Sequence, residues 1–121
     1  MAIADVEQAR VVQLLVNDLH ATVGAGHDYL ALNNAVRLRQ FISDAQTYFQ
    51  RVVEDTQQDI HDGFVDTAWP RCPRHAHPLW FRDGSWWCER DDLRVAPLGE
   101  LATNSAANGP LRQTEPGPAR A

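Results

Sequence analysis

The chain has 121 residues, 44% of them hydrophobic and 22% charged, with four Trp, two Cys and a formal charge of −5. That apolar content is too high for a wholly disordered protein, and the longest apolar cluster, Val11 to Val16, is interrupted by Gln13 and far too short for a helical bilayer span. The expected organisation is one small domain with a tail.

The opening residues lack the positive stretch and continuous apolar run of a secretory signal, which points to a cytoplasmic protein with reduced cysteines. Charge is distributed unevenly. Residues 1–66 hold four Arg against ten acids, whereas residues 67–94 hold five Arg against four acids. A non-specific polyanion binder presents a clustered basic face, because phosphate neutralisation supplies most of its affinity. Acids interleave with the arginines here, so nucleic-acid binding is not favoured.

The first element reads as a helix of about 18 residues. Ala9, Val12, Val16 and Leu19 recur at helical spacing, flanked by Ile3, Val11 and Leu15, and the run stops at Gly24-Ala25-Gly26. A second helix is expected from Asp28, an N-cap residue type, to Gly63, with Asn33 and Asn34 as a weak point near its start. Its seam is Ala35, Leu38, Ile42, Ala45, Phe49 and Val52, with Phe41 and Tyr48 beside it. The short Gly-rich connection predicts an antiparallel helical hairpin over residues 1–66. A stripe this wide also allows a homodimer through the helices. His20, His27 and His61 fall at or near helix ends or in loops and read as surface or capping residues.

Residues 67–101 carry the chemistry, with both cysteines, all four tryptophans, His75 and His77. Asp83-Gly84 between two aromatic runs is a strong hairpin signal, since a type I′ turn needs positive φ at both central positions. That turn sets a register: Arg82 faces Ser85, Phe81 faces Trp86, Trp80 faces Trp87, Leu79 faces Cys88 and Pro78 faces Glu89. Alternation then places His77, Leu79, Phe81, Trp86 and Cys88 on one face, and Pro78, Trp80, Trp87 and Glu89 on the other.

Cys72-Pro73-Arg74-His75 has the form of a metal-binding knuckle leading into the first strand. Cys72, His75, His77 and Cys88 therefore converge on the open end of the hairpin. This set of two thiolates and two imidazoles suits tetrahedral Zn²⁺. Asp91 is the alternative fourth ligand, because Cys88-x-x-Asp91 repeats the spacing of Cys72-x-x-His75. A closed site of four protein ligands leaves no position for water or substrate, so the expected protein is not an enzyme.

Residues 70–101 resemble a degenerate zinc ribbon, in which knuckles at the base of a β-hairpin grip one ion and a third strand, here about Leu93 to Val95, completes the sheet. They are also similar to a set of small uncharacterised actinobacterial proteins whose C-terminal parts read Cys-Pro-x-His, His-Pro-Leu, an aromatic strand ending in Cys, and Gly-Glu-Leu. Those elements are here Cys72 to His75, His77 to Leu79, Trp86 to Cys88 and Gly99 to Leu101. The chain departs from the ordinary ribbon in having two cysteines, and the resemblance does not extend to the helices.

The tail, residues 102–121, has one large aliphatic residue and three prolines and is expected to be disordered. Together these features describe an α+β protein: a helical hairpin, a zinc-ribbon-like β element and a tail. The expected function is a zinc-stabilised module that binds a protein partner, Trp and Arg being enriched at binding hot spots. Nucleic acid is the alternative partner, with bases stacking on exposed Trp.

Overall fold

The computed structural model describes residues 2–102, so the expected tail lies outside the described residues except for Ala102. The fold is α+β: three helices are followed by a three-stranded antiparallel sheet of order β1-β2-β3. The helices are α1 (Asp5–Thr22), α2 (Asp28–Leu38) and α3 (Ala45–Asp62), with a short 3-10 turn, Ala25–His27, before α2. The strands are β1 (Trp80–Arg82), β2 (Ser85–Cys88) and β3 (Leu93–Pro97). No described helix is long and apolar enough to cross a membrane.

The first helix has the expected length, but its buried stripe is rotated from the expected one. Val11, Leu15, Asp18 and Leu19 are buried, whereas Ala9 is exposed. Backbone amides of Val23 and Gly24 both donate to Leu19 O, and Gly24 takes φ 97°, which ends the helix at the predicted glycine. His20 at that end meets both carboxylate oxygens of Asp28 at 2.9 Å.

The single helix expected from Asp28 to Gly63 is instead two. The weak point is not Asn33-Asn34: Asn34 is buried, and its amide donates to Thr56 Oγ1 and Asp59 Oδ2, tying α2 to α3. The break falls after Leu38, whose carbonyl accepts from the amides of Phe41 and Ile42. Asp44 then caps α3, accepting from both the amide and the hydroxyl of Thr47 at 2.8 Å, and these two bonds hold its carboxyl below the ordinary range. Splitting the helix puts Phe41 in solvent while Ala35, Leu38 and Val52 of the predicted seam are buried within the chain. The helical part is therefore a three-helix packing rather than a two-helix hairpin.

In the sheet, the predicted pairs Trp80↔Trp87, Phe81↔Trp86 and Arg82↔Ser85 are present, and Asp83 and Gly84 take positive φ of 51° and 79°. The ladder goes no further than Trp80. Pro78 pairs with Arg71 rather than Glu89, because the chain before β1 folds back on itself, with Leu79 N donating to Pro70 O and Cys72 N to His77 O. The third strand runs to Pro97, two residues past the expectation, with a bulge opposite Trp86 and Trp87.

One hydrophobic cluster contains residues of the helices and of the sheet. Trp69 and Trp86 meet edge to face, with centroids 5.5 Å apart, and Phe81 packs on Trp86 in the same manner at 5.3 Å. Both buried indoles reach α1: Trp69 Nε1 donates to Thr22 Oγ1, and Trp86 Nε1 to Asp18 Oδ2. The outer edge of β1 is closed by α3, where Gln50 and Gln57 donate to the carbonyls of Phe81 and Leu79. Covering an edge in this way removes a template for pairing with other chains.

Asp18 is fully buried. Its Oδ2 accepts from Trp86 Nε1 and Gly99 N, each at 2.8 Å, and its Oδ1 from Leu101 N at 3.0 Å. Burial pushes its carboxyl above the ordinary value against the downward pull of the Trp86 indole and the two amides. Gly99 has φ 90° and sits so near α1 that a Cβ would lie 3.3 Å from Leu14 Cα and 2.5 Å from Leu14 Cδ2. Removing the carboxylate strands three donors, each worth about 1–3 kcal/mol when buried without a partner. Asp18→Ala is therefore expected to destabilise the fold by several kcal/mol, and Asp18→Asn comparably, since an amide NH₂ would confront a donor. Chemical denaturation checks this, and a midpoint unchanged in both variants would refute it.

Candidate metal centre

The fold-back between Arg71 and Pro78 makes a tight loop that carries three of the predicted ligands. Its closing bond, Cys72 N to His77 O at 3.0 Å, puts Cys72 and His77 side by side. His75 stands at the loop's tip with its ring stacked on that of His77, centroids 5.1 Å apart and planes 17° from parallel. Cys88 closes the group from the end of β2. Its side chain is on the helix-facing side of the sheet, as alternation with buried Trp86 requires.

The structure thus brings Cys72, His75, His77 and Cys88 together: one ligand atom from each lies within 4.8 Å of all the others. Ligands of tetrahedral zinc, at bond lengths of about 2.0–2.3 Å, stand roughly 3.5 Å apart, so a small contraction would close the group on an ion. Both cysteines are buried, and neither is in a disulfide. His77 Nε2 is buried with no hydrogen-bond partner, the one such side-chain atom among the described residues. A buried acceptor left unpaired is costly, and a metal ion would satisfy it. These four residues can hold a metal ion.

Asp91, the alternative ligand, is outside this group. Its Oδ2 accepts from Arg74 Nη2 at 2.6 Å and lies 2.9 Å from His75 Nε2. The bond to His75 is the main reason its carboxyl is held below the ordinary range. His77 Nδ1 in turn lies 3.0 Å from the carbonyl of Pro78. The other histidines are elsewhere: His20 is paired with Asp28, and His61 Nε2 meets Trp69 O at 2.6 Å.

No family model matches the chain, and no curated protein or solved structure matches it significantly.

The placement of the site against the expected register is instructive. His77 reaches Cys88 through the loop from Cys72, not along an extended β1, because Pro78 has left the hairpin ladder by that point. The partner of His77 leaves no trace in the sequence, since a proline carbonyl has no signature. Asp91 did have one, the repeated x-x spacing, but spacing alone does not distinguish a ligand from a group that supports a ligand.

Burial of both sulfurs has a direct consequence. The native protein is expected to react slowly with a thiol reagent such as Ellman's, and unfolding in denaturant should release two thiol equivalents per chain. Fewer than two in protein kept from oxidants would mean that the cysteines are not free.

Proposed function

We propose that the chain is a non-enzymatic, zinc-stabilised protein-interaction module. The observation that carries this reading is the Cys72, His75, His77 and Cys88 group, its cysteines buried and its histidines partly so, with its four ligand atoms mutually within 4.8 Å. A set of two sulfurs and two nitrogens in tetrahedral reach is the usual donor set for structural Zn²⁺, whereas hard cations such as Ca²⁺ and Mg²⁺ take oxygen ligands. Four protein ligands fill zinc's coordination, so the ion would fix the loop and β2 rather than activate water.

The docking surface is the outer face of the sheet. Trp80 is 54% exposed. Trp80, Trp87 and Arg94 stand opposite one another on successive strands, and Arg82 lies over the Trp87 ring, 4.0 Å from its centroid. Beside this face, Trp80, Pro78, Glu54, Gln58 and His61 line a groove of about 290 Å³ against α3. Exposed Trp with Arg is the chemistry of a protein hot spot. The flanking Asp83, Glu89 and Asp92, with an overall charge of −5, oppose a phosphate backbone.

A nucleic-acid partner is a second reading, supported by the exposure of Trp80 beside Arg82, which offers a base a stacking surface. An oligonucleotide titration separates the two readings. The protein-partner reading expects no salt-sensitive binding, and binding whose affinity falls steeply with salt would reverse the preference.

Protein purified without chelator is expected to contain one Zn²⁺ per chain. Cys72→Ser and Cys88→Ser should each lose the ion and shift Trp fluorescence, since Trp87 adjoins Cys88 in sequence. Binding should weaken as pH falls, because thiolate and neutral imidazole are the binding forms. Elemental analysis showing less than about a tenth of an equivalent, with both thiols free, would remove the zinc reading.

A further inference from the structure

The two histidines of the metal group have different nitrogens already engaged. Asp91 Oδ2 is 2.9 Å from His75 Nε2 and 2.6 Å from the Arg74 guanidinium, and a carboxylate paired with an arginine can only accept there, so Nε2 carries the proton. The Pro78 carbonyl, 3.0 Å from His77 Nδ1, likewise can only accept, so on His77 the proton sits on Nδ1. A neutral imidazole has one lone pair left for a metal, on the nitrogen that is not protonated. For His75 that nitrogen is Nδ1. For His77 it is Nε2, the same atom that is buried without a partner.

We propose that the metal is held by two sulfurs, His75 Nδ1 and His77 Nε2, and that Asp91 is a positioning residue that acts through His75 without touching the ion. This inference rests on the zinc reading and adds to it the ligand atoms and the role of the second knuckle. Arg74 reinforces the arrangement, since it donates to the same Asp91 oxygen at 2.6 Å and fixes the carboxylate against the loop that carries His75. The repeated spacing then has a physical meaning. Cys72-x-x-His75 supplies two ligands, while Cys88-x-x-Asp91 supplies one ligand and the acceptor that orients the other knuckle's histidine. An acceptor on the far nitrogen makes the ligating nitrogen more basic and restrains ring rotation.

Zinc stoichiometry of the wild-type protein is measured first. Two-bond ¹H–¹⁵N correlation spectra of the zinc-loaded protein then report which nitrogen of each ring is metallated. The expected result is His75 bound through Nδ1 with its proton on Nε2, and His77 the reverse. Asp91→Ala should weaken zinc binding by about 10- to 100-fold, while the ¹¹³Cd resonance of the cadmium-substituted protein stays in the range of a two-sulfur, two-nitrogen site. Asp91→Asn should restore much of the affinity, because the amide oxygen can accept from Nε2. His75 metallated at Nε2, or a ¹¹³Cd resonance showing that Asp91→Ala has lost an oxygen ligand, would overturn the assignment and leave the zinc reading standing. A wild-type protein without stoichiometric metal would overturn both.

Discussion

A single buried carboxylate joins the two halves of this protein. Asp18 lies on α1, yet its three hydrogen-bond partners are the indole of Trp86 and the amides of Gly99 and Leu101. A charge in a protein interior is tolerated only where donors replace its hydration, and here both oxygens are occupied by donors brought from about 70 to 80 positions away in the chain. The constraint runs outward from that atom pair. Trp86 must present its N–H to the helix, which fixes the inner face of β2. Gly99 must be a glycine, since it approaches the helix backbone with a left-handed φ.

The second fixed point is at the other end of the hairpin. Leu98 N donates to Gly84 O, so the β1–β2 turn and the chain leaving β3 lie together at the Asp18 end. Cys88 closes β2 at the open end, beside the loop from Cys72 to His77. Strands of three to five residues bury too little surface to order themselves, and elements of this size ordinarily need a staple or a docking partner. This sheet docks on α1 through Trp86 and Asp18, with Trp69 packed on Trp86. A metal at its open end would supply the staple.

What the sequence made legible follows from how local each signal is. Asp83-Gly84 sets its register within the eight residues from Trp80 to Trp87, so the hairpin pairs were readable. The Cys and His positions were readable because few other roles collect those residues in so short a segment. The break between α2 and α3 was not, since Ala35 to Val52 keeps an unbroken helical spacing; the deciding bonds, from Asp44 to Thr47 and from Asn34 to α3, are a cap and a tertiary contact. Asp18 left only a faint trace, as the one acid on the apolar stripe of Val11, Leu15 and Leu19. A lone polar residue on such a stripe reads equally as the stripe's edge until its partners are known. Gln50 and Gln57 were silent for the same reason, because their role depends on β1 lying alongside α3.

Three of the tryptophans divide between the two faces of the sheet. Alternation along the strands sends Phe81, Trp86 and Cys88 inward and Trp80 and Trp87 outward. The inner set, with Trp69, supplies the aromatic contacts with the helices, and the inner cysteine joins the metal group. Nothing in the core requires large aromatics on the outer face as well. A small polar residue at Trp80 would leave the Phe81–Trp86 packing, the Asp18 clamp and the Cys–His group in place. An indole kept half in water at that position, opposite a second indole that is covered by an arginine, is therefore not accounted for by what holds the sheet together, and it is the feature on which the proposed interaction role draws.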